Sequence, residues 1–225
     1  MCFSANASFG AGIVLTILGV ASLKKVKKSS QIYFAVIPII FALQQFIEGF
    51  LWLSFAQENY AFLKPYTTYI FFFIAQIVWP TWVPLSVYQL ERDESKKKQL
   101  RTLLGLGFLV SSYLGYCLLR YDVNAEIAGH HISYLNTYPS YNFAICGALY
   151  VICTIIPPVF SSVRKLWILA LTILAAYIIT MIYYEEYLVS VWCYFAAIIS
   201  VLIYLFMTYI NAKSPRNFFR GLSIP

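Results

Sequence analysis

The chain has 225 residues, of which 61% are hydrophobic and only 11% are charged, and its formal net charge is +7. A water-soluble domain normally carries about 25% charged residues, so this composition excludes that class and predicts an integral membrane protein. The positive charge does not indicate nucleic-acid binding, because no basic patch with interleaved aromatic residues stands apart from the predicted membrane loops.

Seven segments are long and apolar enough to cross a bilayer, which takes about 20 residues of helix. In chain order they cover residues 4–23, 32–55, 66–90, 102–119, 141–160, 166–183 and 188–210. None of them shows the polar alternation of a transmembrane β-strand. The sequence therefore predicts an all-α membrane protein, with one domain over residues 1–225 that forms a bundle of seven transmembrane helices.

The basic residues predict the orientation of this bundle, because Lys and Arg near helix ends stay on the cytoplasmic side. Of the 16 Lys and Arg residues, only Lys64 and Arg120 would share a face with the amino terminus. We therefore expect the amino terminus outside and the carboxyl terminus inside. The first span is expected to be retained, because its basic run "LKKVKK" follows the apolar stretch, whereas a signal peptide carries its charge before it.

The second span contains polar residues that hydrocarbon does not tolerate without partners. Gln44, Gln45 and Glu48 share one helical face, which Trp52 continues one turn later. A lone carboxylate at mid-bilayer costs about 2.5 to 3.5 kcal/mol on insertion scales. This face must therefore look into the bundle, and Glu48 is expected in the outer half of the span.

The third and fourth spans carry signals for their shape and packing. Pro80 and Pro84 are expected to bend the third span, because proline breaks the hydrogen-bond ladder of a helix. Gly107, Ser111 and Gly115 lie four residues apart on the fourth span. Small residues at this interval let two helix backbones approach closely.

The longest segment outside the predicted spans covers residues 120–140, where apolar and polar residues alternate on both sides of Ala128 and Gly129. This pattern predicts a short exoplasmic β-hairpin between the fourth and fifth helices, lying across the mouth of the bundle. Adjacent residues of a strand point to opposite sides, so at most one of His130 and His131 is expected to face inward.

The predicted topology gathers polar and reactive side chains at the exoplasmic end of the bundle. We expect a polar ligand-binding pocket there, with a small molecule or a lipid as its ligand. The expected pocket residues are Cys2, Ser4, Asn6, Gln44, Gln45, Glu48, Trp52, Trp192 and Cys193.

One alternative is that this pocket holds a divalent metal. Imidazole from His130 or His131, together with the carboxylate of Glu48, would be acceptable ligands for zinc or copper. The sequence lacks the compact spacings of zinc sites, such as HExxH or CxxC. A hydrogen-bonded loop histidine is the competing interpretation.

Two further alternatives assign an activity to the same residues. If Met1 is removed, Cys2 becomes a terminal nucleophile with its own α-amine as base, and Glu48 could assist a hydrolase or transferase acting on a lipid-like substrate. Glu48 with Gln76 or Gln89 could instead form polar stations of a small-solute or proton-coupled transporter. The sequence does not decide between these two activities and the binding of a ligand without turnover.

Four segments carry a resemblance: "MCFSANASFGAG", "IPIIFALQQFIEGFLWL", "GHHISY" and "SVWCYFAA". Together they resemble an uncharacterised family of bacterial integral membrane proteins that begin Met-Cys-Phe-Ser-Ala and carry a Gln-Gln-x-x-Glu-Gly helix. The resemblance spans almost the whole chain and implies a multi-pass protein of the bacterial cytoplasmic (inner) membrane, surrounded by its lipids. It assigns no reaction, so no catalytic role is carried over.

Overall fold

A computed structural model describes residues 4–129, 131–163, 165–183 and 188–212, with the side chains of 140–144, 183, 188–194 and 212 left out of that description. These residues form seven helices and one two-stranded sheet, which confirms the predicted number of helices and the small hairpin. The helices are α1 Ala5–Lys24, α2 Ser29–Ala56, α3 Glu58–Leu90, α4 Glu94–Arg120, α5 Ser140–Phe160, α6 Trp167–Tyr183 and α7 Leu188–Ala212. The strands are β1 Val123–Ala128 and β2 His131–Asn136.

Helices α1 to α4 are each long and apolar enough to cross a membrane. Shorter apolar helical stretches lie within the last three helices, at Ile145–Phe160, Trp167–Ile182 and Phe195–Asn211. Helix α4 begins eight residues before the predicted apolar span, because the Asp93 side chain caps it by accepting from the backbone N–H of Ser95 at 2.9 Å. Its charged first turns therefore extend the helix beyond the apolar part.

Helix α1 packs antiparallel on α2. A side chain at Gly12 would meet Phe46, and one at Gly19 would meet Ile39, so residues further along α1 face residues earlier on α2. The two glycines therefore allow the close approach of these helices.

Helix α3 is irregular in its middle, where Phe73–Val78 form a π-helical segment. It ends two residues before Pro80, which has no N–H to donate and whose ring crowds the carbonyl of Gln76 four residues earlier. The irregularity that the prolines predict is therefore a widened turn within the helix.

The carbonyl groups of this π-helical segment accept hydrogen bonds from neighbouring helices. Tyr150 of α5 donates its hydroxyl to the carbonyl oxygen of Ala75 at 2.7 Å. Ser111 of α4 donates to the carbonyl oxygen of Ile77, also at 2.7 Å. Because a backbone acceptor in an apolar interior is costly when unpaired, these bonds stabilise the widened turn.

The small residues of α4 have the packing role that their spacing predicts. A Cβ atom at Gly107 would collide with the carbonyl oxygen of Pro80. The hydroxyl of Ser111 also lies 2.8 Å from that of Thr81. Helices α3 and α4 are therefore in direct backbone contact at this level.

The β-hairpin pairs its strands antiparallel, from Val123 opposite Asn136 to Ala128 opposite His131. Its apolar face buries Ala125 and Ile132 in one cluster with Leu51 and Trp52 of α2. The Tyr134 ring also stacks on Phe71 of α3, with 4.3 Å between ring centroids. We call the end of the bundle that the strands cover the hairpin end.

Side-chain hydrogen bonds connect distant segments at the opposite end. Asn211 near the end of α7 donates to the carbonyl oxygen of Lys25 at 2.7 Å and accepts from Gln31 at 3.1 Å. Glu91, which follows α3, accepts from the backbone N–H of Ser162 at 2.6 Å. The segment between α1 and α2 is therefore bonded to the end of α7, and the loops after α3 and α5 are bonded to each other.

Candidate ligand-binding site

The polar face of α2 is buried, as the helical spacing of its polar residues predicts. Gln44, Gln45 and Glu48 are 2%, 1% and 0% exposed. The Gln45 amide nitrogen donates to a carboxylate oxygen of Glu48 at 3.2 Å. The carboxylate therefore lies in the interior of the bundle with an amide donor beside it.

Gln44 lies in the wall of a cavity of about 630 Å³. The walls come mainly from α2, α3, α5, α6 and α7, and most of the lining side chains are apolar. The lining side chains with a polar atom are Gln44, Gln76, Trp79, Ser86, Tyr150, Thr154 and Tyr177. No Lys, Arg, His, Asp or Glu lines the cavity within the part of the chain that the structure describes.

Two glutamine amides of the wall are held by donors from other elements. The Trp79 indole N–H donates to Gln44 Oε1 at 3.2 Å, and the Tyr138 hydroxyl donates to Gln76 Oε1 at 3.2 Å. An indole N–H can only donate, so the bonded atom of Gln44 must be its carbonyl oxygen. Phe41 stacks on Trp79 at a centroid distance of 4.2 Å and fixes the indole in turn.

Some lining residues of α5 and α6 are exposed at the surface of the bundle. Near the hairpin end the lining residues Gly147 and Ala148 are exposed, and Met181 is 38% exposed. Further from the hairpin, the lining residues Thr154 and Ile173 are buried. The accessible side of the cavity therefore lies in the half nearer the hairpin.

A second group of polar atoms lies between the cavity and the hairpin. Within the described residues, Ser8 Oγ, Gln45 Oε1, Trp52 Nε1 and Thr68 Oγ1 are buried and have no hydrogen-bond partner. An unsatisfied buried polar group costs about 1–3 kcal/mol. Gln45, Glu48 and Trp52 do not line the cavity.

The expected pocket residues of α1 are placed at its beginning. Ser4 caps the helix, because its hydroxyl accepts from the backbone N–H of Ala7 at 3.3 Å. Ser4 and Asn6 are both exposed, so neither shares the buried position of the α2 residues. Cys2 lies outside the described residues, and its role as a nucleophile stays a prediction.

The remaining expected residues belong to β2 and α7. His131 is half-buried in β2, while His130 lies outside the described residues. Trp192 and Cys193 are in α7, but their side chains also lie outside the description. No three His, Cys, Asp or Glu side chains come together as a metal site within the described parts of the chain. Metal binding therefore stays a prediction.

Sequence reasoning missed most of the cavity wall. Gln76 was considered only as a transport station, and Trp79, Tyr138 and Tyr150 were not singled out. One signal was present, because Gln76 precedes Pro80 by one turn, where an irregular helix was expected. A polar residue at such a turn is a candidate for a site, since π-helical turns are frequent at functional positions.

The comparisons with known proteins place the chain in a family but give it no activity. The model of a family described as "Family of unknown function (DUF6629)" matches residues 1–217. No curated protein matches the chain. No solved structure matches it either. Its function must therefore be argued from its own residues.

Proposed function

Since the chain belongs to the family of unknown function DUF6629, we propose from its own geometry that it is a multi-pass membrane protein which binds an apolar small molecule or lipid. The cavity of about 630 Å³ carries this proposal. Its volume falls within the range of about 300–1,000 Å³ of small-molecule sites, which are mostly apolar and have a few placed polar groups. The amides of Gln44 and Gln76 are such groups.

A membrane location accounts for the outer surface of the bundle. Large apolar side chains are exposed on several helices, including Ile17, Leu109, Leu119 and Ile182. In water such a surface would drive aggregation, whereas in a bilayer it contacts lipid. The resemblance to bacterial membrane proteins supports the bacterial inner membrane as the location.

The charge distribution supports the proposed orientation. The end of α1 opposite the hairpin carries Lys24, and Lys25, Lys27 and Lys28 follow it directly. A basic loop of this kind favours the cytoplasmic side. We therefore place the hairpin outside and the accessible half of the cavity in the outer leaflet.

The lateral position of the opening favours a ligand that partitions into the bilayer. Gly147, Ala148 and Met181 lie on α5 and α6, within the apolar stretches of these helices. A molecule entering between them would come from among the lipid chains. The absence of charged groups in the described wall favours a ligand with little or no charge, because an isolated charge is expensive to bury there.

Substitution of the glycine at the opening tests this proposal. Gly147 lines the cavity and a Cβ added there would meet no atom within 4 Å, so Gly147→Phe should obstruct the accessible side of the cavity with little effect on the fold. We expect it to reduce co-purified lipid or small molecule at least tenfold, measured by mass spectrometry of the purified protein after mild release.

Gly105→Phe is the matched control. Gly105 also lies on a helix with nothing near its missing Cβ, but it does not line the cavity. This variant should retain the bound species of the unmodified protein. An undiminished load in Gly147→Phe, or the same loss in both variants, would refute binding in the cavity.

A further inference from the structure

Gln76 holds a distinctive position in the cavity wall. It is only 8% exposed and lies in the π-helical segment of α3. Along α3 the lining residues run from Ala75 to Val87, so Gln76 is at the hairpin-side limit of the cavity. The accessible lining residues Gly147 and Ala148 are in the same half of the bundle.

The Gln76 amide is oriented by Tyr138, which lies between β2 and α5. Its hydroxyl donates to Gln76 Oε1 at 3.2 Å. Burial raises the pKa of Tyr138, so the phenol stays neutral and retains the proton that it donates. With the oxygen of Gln76 engaged in this way, the amide group left over is Nε2, which carries two N–H donors.

Hydroxyl groups of the cavity wall donate their protons to backbone carbonyl oxygens, so toward a ligand they can only accept. No hydrogen bond from Gln76 Nε2 is found within the part of the chain that the structure describes. Tyr150 donates its hydroxyl to the Ala75 carbonyl, and Thr154 donates to the carbonyl of its own helix at Tyr150. The Nε2 group of Gln76 is therefore the donor that a ligand would satisfy.

The charge and shape of the cavity restrict the rest of the ligand. A phosphate or a carboxylate would be buried without a counter-charge from the described wall. Twelve residues of α3 separate Ala75 from Val87, which corresponds to about 18 Å of helix. Beyond Gln76 this length is lined mostly by apolar side chains, including Val83, Val87 and Ile203.

We propose, on the basis of the proposed function, that the ligand is a neutral amphiphile with a hydrogen-bond acceptor at one end, such as the carbonyl of a long-chain ester, ketone or quinone. The carbonyl oxygen accepts from Gln76 Nε2 near the opening. The apolar chain extends from there away from the hairpin, toward Val87. The orienting bond from Tyr138 makes Gln76 a donor to the ligand and so selects carbonyls over plain hydrocarbons.

Binding of three probes to the full chain in detergent micelles tests this inference. The probes share one brominated chain and differ at the end, as a methyl ester, an alkane or a free carboxylate, and binding is measured as quenching of tryptophan fluorescence. One net hydrogen bond contributes about 1 kcal/mol, so the ester should bind about fivefold more tightly than the alkane. The ionised carboxylate should bind more weakly than the ester.

Gln76→Leu should remove the preference for the ester and retain binding of the alkane. Gln89→Leu is the control, because Gln89 is on the same helix outside the described cavity wall, and it should retain the preference. Equal binding of ester and alkane to the unmodified protein would overturn the inference but leave the proposed function in place. If no probe quenches, the proposed function itself fails.

Discussion

Two buried indole groups differ in the hydrogen bonding of their N–H groups. Trp79 Nε1 donates to Gln44 Oε1 at 3.2 Å. Trp52 Nε1 has no hydrogen-bond partner among the described residues. Replacing either residue with Phe removes a similar volume, so a comparison of the two variants isolates the contribution of the N–H group.

We expect Trp79→Phe to lower the free energy of unfolding by about 1 to 3 kcal/mol more than Trp52→Phe does. The first change removes the hydrogen bond from the indole to Gln44 Oε1, whereas the second removes a donor that is already unsatisfied among the described residues. Equilibrium unfolding in mixed detergent micelles measures both values. Equal losses would contradict the expectation and indicate that a bound water or ligand satisfies the Trp52 indole.

For single residues, the sequence predicts which side chains are buried but not which partners they contact. The burial of Gln44, Gln45 and Glu48 follows from the periodicity of a helix in an apolar setting. The partner of Gln44 does not follow, because Trp79 is 35 residues away. Which residue of α3 faces Gln44 depends on the π-helical segment, and the proline only indicates that some irregularity is present.

At the scale of elements, the contact between α3 and α4 depends on one missing side chain. A Cβ at Gly107 would collide with the backbone carbonyl of Pro80, which cannot move independently of its helix. A Cβ at Gly105, two residues earlier on the same helix, would meet nothing. The two positions have the same helical backbone and differ in packing.

The substitutions Gly107→Ala and Gly105→Ala should therefore change stability in opposite directions. Gly105→Ala should raise the free energy of unfolding by about 0.5–1 kcal/mol, because Ala has the higher helix propensity. Gly107→Ala should lower it by about 1–3 kcal/mol, because the added methyl group forces the helices apart. Thermal unfolding in detergent measures the signs, and a gain in both variants would exclude the close backbone contact.

The β-hairpin also shows that a sequence pattern predicts an element but not its packing partner. The alternation of residues on both sides of Gly129 predicts two strands and an apolar face. It does not predict what this face covers, because a pattern within a segment contains no information on its partner. The packing of Ile132 against Leu51 and the stacking of Tyr134 on Phe71 depend on where α2 ends and α3 begins.

At the scale of the whole molecule, the number of helices could be predicted and the space between them could not. Apolar length is a property of each span by itself, whereas the cavity is a property of six helices packed together. Its polar contacts join Gln44 to Trp79 and Gln76 to Tyr138, and Tyr138 comes from a loop. The sequence therefore predicts a pocket near Glu48, whereas the large cavity of the structure lies deeper in the bundle and does not include Glu48 in its wall.

The carboxylate of Glu91 connects the two loops that join α3 to α4 and α5 to α6. It is 2% exposed and accepts from the backbone N–H groups of Arg92, Asp93 and Ser162 and from the hydroxyls of Ser161 and Ser162. Burial raises the pKa of Glu91, but these hydrogen bonds outweigh it and lower the pKa from 4.5 to about 2. The folded state therefore favours the ionised carboxylate.

Because the folded pKa is the lower one, the stability from Glu91 is fully present above pH 4.5 and is lost as the pH falls toward 2. We expect Glu91→Gln to lower the free energy of unfolding at pH 7 by about 2 to 3 kcal/mol, and to remove most of the decrease between pH 4.5 and 2. Glu94→Gln is the control, because Glu94 pairs only with Lys97 on the surface among the described residues, and such pairs contribute little. Equilibrium unfolding of both variants is measured across this pH range. If Glu91→Gln loses as much stability on acidification as the unmodified protein, this carboxylate does not stabilise the connection between the two loops.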